Sequence, residues 1–548
     1  MSLFFFSRES DNRSEYYFAQ IPKQILQANQ LEVIGTGEIS STSSDFESNY
    51  EKLPDLIKAC LNYCSIITFR YPVRKAKIVR LLLAASILLE IPGETMEDII
   101  EKIIEDLIGL KMLQENVHLD KRELKVSELY YQIFLVELDE QDFIDIAVSL
   151  PVHAVIEDDG KDNPPDFKSL QIQSLFLTTA DRRASSYGSS EGLSCSYMEA
   201  ICSVEHIWVL DLNGKIECLP DRVGDMVHLK YLGLFCSDLD NLPRTLGNLQ
   251  ELQTFDMRAT RFKHILPIEM LNLQQLRHIL VSHRTNNGEI NVPKGFGRLF
   301  NLQTCEGVYA GGGAAVTELS TLTQLKKLDI KRVSEDHSSE LVAAIMKMTK
   351  LVSLSLDAER GGYCDTTLLP EMEEFAPPPS LRKLYLSGGL VEIPNWIVSM
   401  ENLTTLSLSK SRLLENSNSV LERLPNLKHL NLWDAYDVKS IGKEFCRGGG
   451  FPKLENLIIS SRTLVEWTQV VEGAFPSLRH LSFRNCLKLK FLPEGLDSIS
   501  TLQVLTLLPA YNDIIWRLKG KEPRPATRGK KQSFTTTCSI INAEQSKQ

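Results

Sequence analysis

At 548 residues the chain has room for two or three ordinary domains, or for one small domain and a repeat array. Its 43% hydrophobic and 24% charged content is ordinary for a globular protein, and a net charge of -11 argues against general nucleic-acid binding, which needs an electropositive face. The charge is uneven: residues 90–160 hold nineteen Asp or Glu against five Lys or Arg, a block best read as solvated helix faces.

The opening MSLFFFSRES has too short an apolar core for a signal peptide, with charge already at Arg8 and Glu9. No stretch approaches the ~18 apolar residues of a membrane span. The longest uncharged apolar run, Leu81–Leu89, fits a buried helix. The chain is therefore expected in the cytoplasm with its thiols reduced. Its eleven cysteines are scattered and form no C-x-x-C pair. Cys60 and Cys64 lie four apart on a predicted helix, and two thiols alone make no zinc site, so they are assigned to the core.

Residues 1–46 carry no readable element. Residues 47–150 read as a compact helical domain. The stretch ESNYEKLPDLIKACLNYCSII is amphipathic, with Leu53, Leu56, Ile57, Cys60, Leu61 and Cys64 near helical spacing. A second helix is predicted through KAKIVRLLLAASIL. A third, TMEDIIEKIIEDLIGLKML, opens with Thr95 three residues before Asp98, a cap-like start. Its Ile99, Ile103, Leu107 and Leu110 mark one buried stripe. A small hairpin is expected near MLQENVHLDKRELKVS.

From about residue 170 one pattern recurs: L-x-x-L-x-L, with other apolar residues sometimes substituting. Clear copies run from Leu229–Leu234 and Leu325–Ile330 to Leu478–Phe483 and Leu502–Leu507. Weaker copies surround Leu175, Leu210, Phe255, Ile279 and Cys305. Central anchors from Leu210 to Leu505 are spaced 22, 23, 24, 26, 23, 26, 30, 22, 24, 27, 24 and 24 residues apart. This lies in the ~20–29 residue period of leucine-rich repeats, give or take one long insertion. The predicted fold is an α/β leucine-rich-repeat solenoid, a horseshoe, over residues 160–510, followed by a disordered basic tail at 511–548. Each anchor points into the solenoid, and its two neighbours face the concave side. Pro220, Pro243 and Pro493 suit tight turns between strands. The Gly311-Gly312-Gly313 run lacks a following Lys-Ser/Thr and is assigned to a loop rather than to phosphate binding.

A repeat surface of this kind binds macromolecules. The flanking positions are Lys383 and Tyr385, Thr405 and Ser407, His429 and Asn431, and His480 and Ser482, with Trp433 and Arg484 two residues further along their strands. Aromatic and Arg side chains are typical of interface hot spots. Lys383, Tyr385, His429, Asn431, Trp433, His480 and Arg484 are therefore the candidate partner-binding residues. Trp433 has a second reading, as packing beneath an adjacent loop. The ten histidines stand singly, and no H-E-x-x-H, G-x-S-x-G or phosphate-loop pattern occurs, so neither catalysis nor a cofactor or metal is expected.

The front of the chain resembles the winged-helix end of the nucleotide-binding region in plant disease-resistance proteins, the intracellular receptors with a nucleotide switch and leucine-rich repeats. Leu53, Pro54, Cys60, Tyr63, Cys64, Ser65, Arg80, Met96, Glu97 and Asp98 match its pattern in order, and LPNLKHLNLWDAYDVKSI and FPSLRHLSFRNCLKLKFLPEGL resemble its repeats. The resemblance covers roughly residues 47–510 and implies a small helical winged-helix domain at 47–150 ahead of the solenoid. Two departures stand out. The family's glycine-rich phosphate loop is missing, and its Met-His-Asp triplet reads Val126-Ser127-Glu128 here. The resemblance thus implies a truncated receptor whose repeats recognise a pathogen effector, a guarded host protein or a full-length receptor. The competing expectation is an intracellular scaffold without immune signalling.

Overall fold

The computed structural model describes residues 3–5, 15–19, 43–69, 71–88, 95–118, 121–137, 151–158, 166–179, 192–235, 239, 241–259, 266–281, 290–291, 293–309, 313–358, 360–361, 365–366, 368–372, 374–413 and 418–508. It divides into two compact units, residues 1–307 and 308–548.

The first unit begins with two strands the sequence does not announce, β1 (Leu3–Phe5) and β2 (Glu15–Ala19). Helices α1 (Ser43–Glu51) and α2 (Asp55–Thr68) follow, then the short β3 (Val73–Arg74), α3 (Lys75–Ala84) and α4 (Met96–Gly109). The amphipathic stripe of α2 is buried, Cys60 and Cys64 with it. In α4 the Thr95 side chain accepts the Asp98 N–H at 3.4 Å, and Glu97 and Asp98 add charge favourable to a helix start. Ile99, Ile100, Ile103, Ile104 and Leu107 are buried, while Leu110 caps the helix half-buried. The expected hairpin is present as β4 (Leu113–His118) against β5 (Lys121–Val126), and β3 joins β5 to make a three-stranded antiparallel sheet. The helix α5 (Glu128–Phe134) completes this helical head, and the strand β6 (Leu135–Glu137) pairs in parallel with β1, which is antiparallel to β2. Ser127 is buried at the turn between β5 and α5.

The parallel run of repeat strands starts one strand earlier than the spacing indicates, and β2 pairs antiparallel with its first strand. β7 (Val152–Asp158) pairs in parallel with β8 (Ile172–Thr179), placing Ala154 beside the anchor Leu175. Strands β9 (Val209–Asn213), β10 (Tyr231–Phe235), β11 (Thr254–Asp256), β12 (His278–Leu280) and β13 (Thr304–Tyr309) continue it in parallel. Every anchor is in register: Leu175, Leu210, Leu232, Phe255, Ile279 and Cys305 stand side by side and fully buried. Between strands the chain turns through 3₁₀ segments that follow Pro220, Pro243 and Pro267 directly. These turns stack so closely that a Cβ at Gly247 would lie 2.6 Å from the Glu269 carbonyl oxygen.

Two further findings correct the sequence reading of this unit and the next. Leu193 and Ile216 form a parallel bridge, so two residues on Cys195 and Cys218 face each other with Cα atoms 5.5 Å apart, and they form a disulfide. The expectation that every thiol stays reduced therefore fails at this pair. In the second unit Gly313 opens the helix Gly313–Leu319 rather than lying in a loop, and Gly311 and Gly312 lie outside the described residues.

The second unit carries β14 (Lys327–Val333), β15 (Ser353–Ala358), β16 (Lys383–Ser387), β17 (Thr405–Ser409), β18 (His429–Trp433), β19 (Asn456–Ser460), β20 (His480–Arg484) and β21 (Val504–Leu508), all parallel. The anchors Leu328, Leu354, Leu384, Leu406, Leu430, Leu457, Leu481 and Leu505 are again in register and buried. Phe445, Phe451, Trp467, Phe475 and Phe483 pack beneath the later strands, with the Phe451 and Phe475 rings stacked at 5.4 Å. The 30-residue interval between Leu354 and Leu384 contains a small hairpin, Arg360–Gly361 against Asp365–Thr366. The basic tail predicted at 511–548 lies outside the described residues.

Candidate partner-binding face

Alternation along each strand leaves one face for the anchors and the other for their neighbours. In the first unit that other face is covered by the head of the same unit. Its core, from Phe46 on α1 to Tyr131 on α5, is continuous with Val155, Phe176, Val209 and Tyr231 on the strands. Tyr63 of α2 reaches Ser174 with its hydroxyl at 3.0 Å, and its ring meets those of His153 and Phe176 edge-on. His153, hydrogen-bonded to Ser174 at 2.8 Å, is buried, and burial lowers its pKa to about 3.

Helix α3 supplies the cations. Lys77 pairs with Asp211 at 2.6 Å, and Arg80 is buried near Asp256, Tyr231 and Arg258. Asp256 accepts from Arg258 at 2.5 and 2.8 Å and from the Tyr231 hydroxyl at 3.1 Å. Burial works against the Asp256 carboxylate, but Arg258, Lys77 and Arg80 outweigh it and hold its carboxyl well below the usual range. Between these acids stands Gly233, where a Cβ would lie 2.2 Å from the Asp211 carboxylate. At the start of α4, Glu97 accepts from Arg277 at 3.0 Å. Lys230 adds a bond to Ser86 at 2.7 Å and lies over the Trp208 ring. None of this docking was foreseen from sequence.

In the second unit the strand face opposite the anchors carries the predicted residues. One row across it runs Lys383, Thr405, His429, Asn456, His480, and the next runs Tyr385, Ser407, Asn431, Ile458, Ser482. A third holds Ser409, Trp433, Ser460 and Arg484. The register thus brings all seven candidates to one face. Trp433 and Arg484 are two strands apart, about 10 Å, whereas Lys383 and His480 stand four strands apart, about 19 Å. Lys383 and His480 are exposed; Tyr385, His429, Asn431, Trp433 and Arg484 are half-buried. Three neighbours were missed: Asn456, Ile458 and Ser460 occupy the equivalent positions of β19. Their signal is the repeat copy LENLII with the serine that follows it, where Asn456 and Ile458 flank the anchor Leu457.

Two contacts order the face. The Asn456 amide nitrogen lies 3.0 Å from His429 Nδ1, and Arg484 Nε donates to the Ser482 hydroxyl at 3.3 Å. Burial lowers the pKa of His480, with Arg479 adding to the effect and Glu455 opposing it. On the preceding strands the charges are already satisfied, since Lys331 lies 3.2 Å from Asp329 and 3.7 Å from Asp357. A family model described as a leucine-rich repeat region matches residues 191–523, and the chain belongs to that family.

Its relatives narrow the description. A disease resistance protein of Arabidopsis thaliana is 27% identical over 503 residues, covering 87% of this chain and 53% of its own length. The disease resistance protein RPM1 of the same plant is 26% identical over 521 residues, covering 91% of this chain and 54% of its own. The chain spans about half the length of the curated relatives it matches. These matches bear out the resemblance to plant disease-resistance proteins drawn from the motif order. Among solved structures, an internalin from Listeria monocytogenes aligns with a TM-score of 0.39 at 16% identity, over 58% of this chain and 84% of that one. No helix among the described residues is long and apolar enough to cross a membrane.

Proposed function

We propose that this chain is a defence-related protein-binding module that recognises a pathogen effector or a host protein through the strand face of β16 to β20. The observation that carries the reading is the contrast between the corresponding strand faces of the two units, each taken by itself. On β8 to β11 the face is buried under the helical head, with its charges neutralised from within. On β16 to β20 the corresponding positions keep Lys383 and His480 exposed and Tyr385, Trp433 and Arg484 partly so. Half-buried aromatic and Arg side chains held in register are the kind that dominate protein interfaces.

The test is binding by variants whose fold is checked independently. Trp433→Ala and Arg484→Ala leave the melting temperature close to that of the parent and weaken a captured plant or pathogen protein by about 1–3 kcal/mol. Variants that lose stability without a specific loss of binding place these residues in the scaffold instead.

A further inference from the structure

The six strands β16 to β21 present eighteen positions on this face, and none of them holds Asp or Glu, in a chain whose net charge is -11. The basic residues there are Lys383, His429, His480 and Arg484. One residue before the strands, along the same edge, stand Arg382, Lys428 and Arg479, all exposed. Among the described residues Arg382, Lys383 and Arg479 make no ion pair. The same row holds one acid, Glu455, which stands between Lys428 and Arg479 and is engaged by Lys428 at 3.0 Å, and Asp434 follows Trp433 at the end of β18.

The first unit shows what covers such a face in this protein. There the strands carry the acids, Asp211 and Asp256, and the element laid across them carries Lys77 and Arg80. On β16 to β20 the sign is reversed, so the complementary occupant carries carboxylates. We propose that this face binds an acidic polypeptide segment, with its carboxylates at Arg382, Lys383 and Arg479 and an apolar side chain against Trp433. The inference rests on the reading of this face as a protein-binding surface and adds the chemistry of the partner. Charge matching of this kind governs partner choice and the rate of encounter more than bulk affinity. Phosphate is the other polyanion to consider. The cations here are few and spread over five strands, and stacking aromatics do not alternate with them, which favours a polypeptide over a nucleic acid.

The experiment selects a random displayed-peptide library on the full chain and measures the enriched peptides, as synthetic probes, against Lys383→Glu, Arg479→Glu and Trp433→Ala. Lys383 and Arg479 are exposed, so the two charge reversals keep the parent's melting temperature. The expected result is a set of net-negative peptides whose affinity falls by about tenfold or more in each charge reversal. Enriched peptides that are neutral or basic yet depend on Trp433 overturn the acidic partner and leave the face as a protein-binding surface. Peptides indifferent to all three variants, or no enrichment at all, overturn both. A thymidine oligonucleotide that binds the parent, and loses binding in the same charge reversals where the peptides do not, assigns the cations to phosphate and also overturns the proposal.

Discussion

Lys77 on helix α3 and Asp211 on strand β9 lie 2.6 Å apart, 134 residues distant in sequence and each largely withdrawn from water. This pair ties the helical head to the first repeats. Removing the lysine leaves Asp211 close to the Tyr231 ring without its cation. Lys77→Ala should therefore destabilise the protein by about 1–3 kcal/mol, and Lys77→Ala with Asp211→Ala by less than the two single changes added together. Additive losses in denaturant titrations would mean that the pair contributes nothing to docking.

The register of the solenoid makes its own prediction. Leu406 and Leu430 are buried anchors on adjacent strands. Truncating either to Ala removes packed volume from the core and should cost about 2–5 kcal/mol. Thermal melts indistinguishable from the parent for both variants would show that the side chains point elsewhere.

Acid should act through His153. Burial holds its pKa at about 3, below the ~6.5 of an unfolded histidine. Above pH 6.5 neither state binds the proton, and the stability associated with the neutral ring is fully present. As the pH falls from 6.5 towards 3 only the unfolded chain takes up the proton, so stability is lost progressively, by about 2 kcal/mol at pH 5. His153→Gln should flatten this part of the stability curve between pH 7.5 and 5, whatever its effect on absolute stability. An unchanged slope would mean that His153 is solvated.

Cys195 is exposed and Cys218 half-exposed, whereas Cys60, Cys64, Cys202, Cys305, Cys446 and Cys486 are buried. Burial pushes the Cys60 and Cys202 thiols up to about 12, which keeps them protonated and unreactive. Alkylation of the native protein followed by non-reducing digestion should yield one linked species containing Cys195 and Cys218. Separate alkylated peptides from these two sites would show that the bridge does not form.

Much of the second unit was legible because its signal is periodic. The recurring L-x-x-L-x-L pattern places the anchors from Leu328 to Leu505, and strand alternation puts Tyr385, Asn431 and Ser482 in one row. What periodicity does not encode is contact between distant segments. Nothing in KAKIVRLLLAASIL indicates that Lys77 meets Asp211 or that Arg80 comes close to Asp256. Ala154 escaped as an anchor because β7 lacks the leucine pattern, its residues reading VHAVIED. The Cys195–Cys218 bridge was hidden because a 23-residue separation becomes adjacency only after the repeats stack. Trp433 was legible as a face residue, but its half-burial depends on neighbours that one strand's sequence does not specify.

The central claim is that the strand face of β16 to β20 meets a protein partner, and site-specific photo-crosslinking in plant tissue tests it most directly. A photoreactive side chain is placed at Lys383, at Tyr385 or at His480, and, as a control, at Arg423, which is exposed and outside the strands. The account predicts a common crosslinked protein from the three face positions and none from Arg423. Crosslinks to that protein from Arg423 alone, or equally from all four positions, would contradict it.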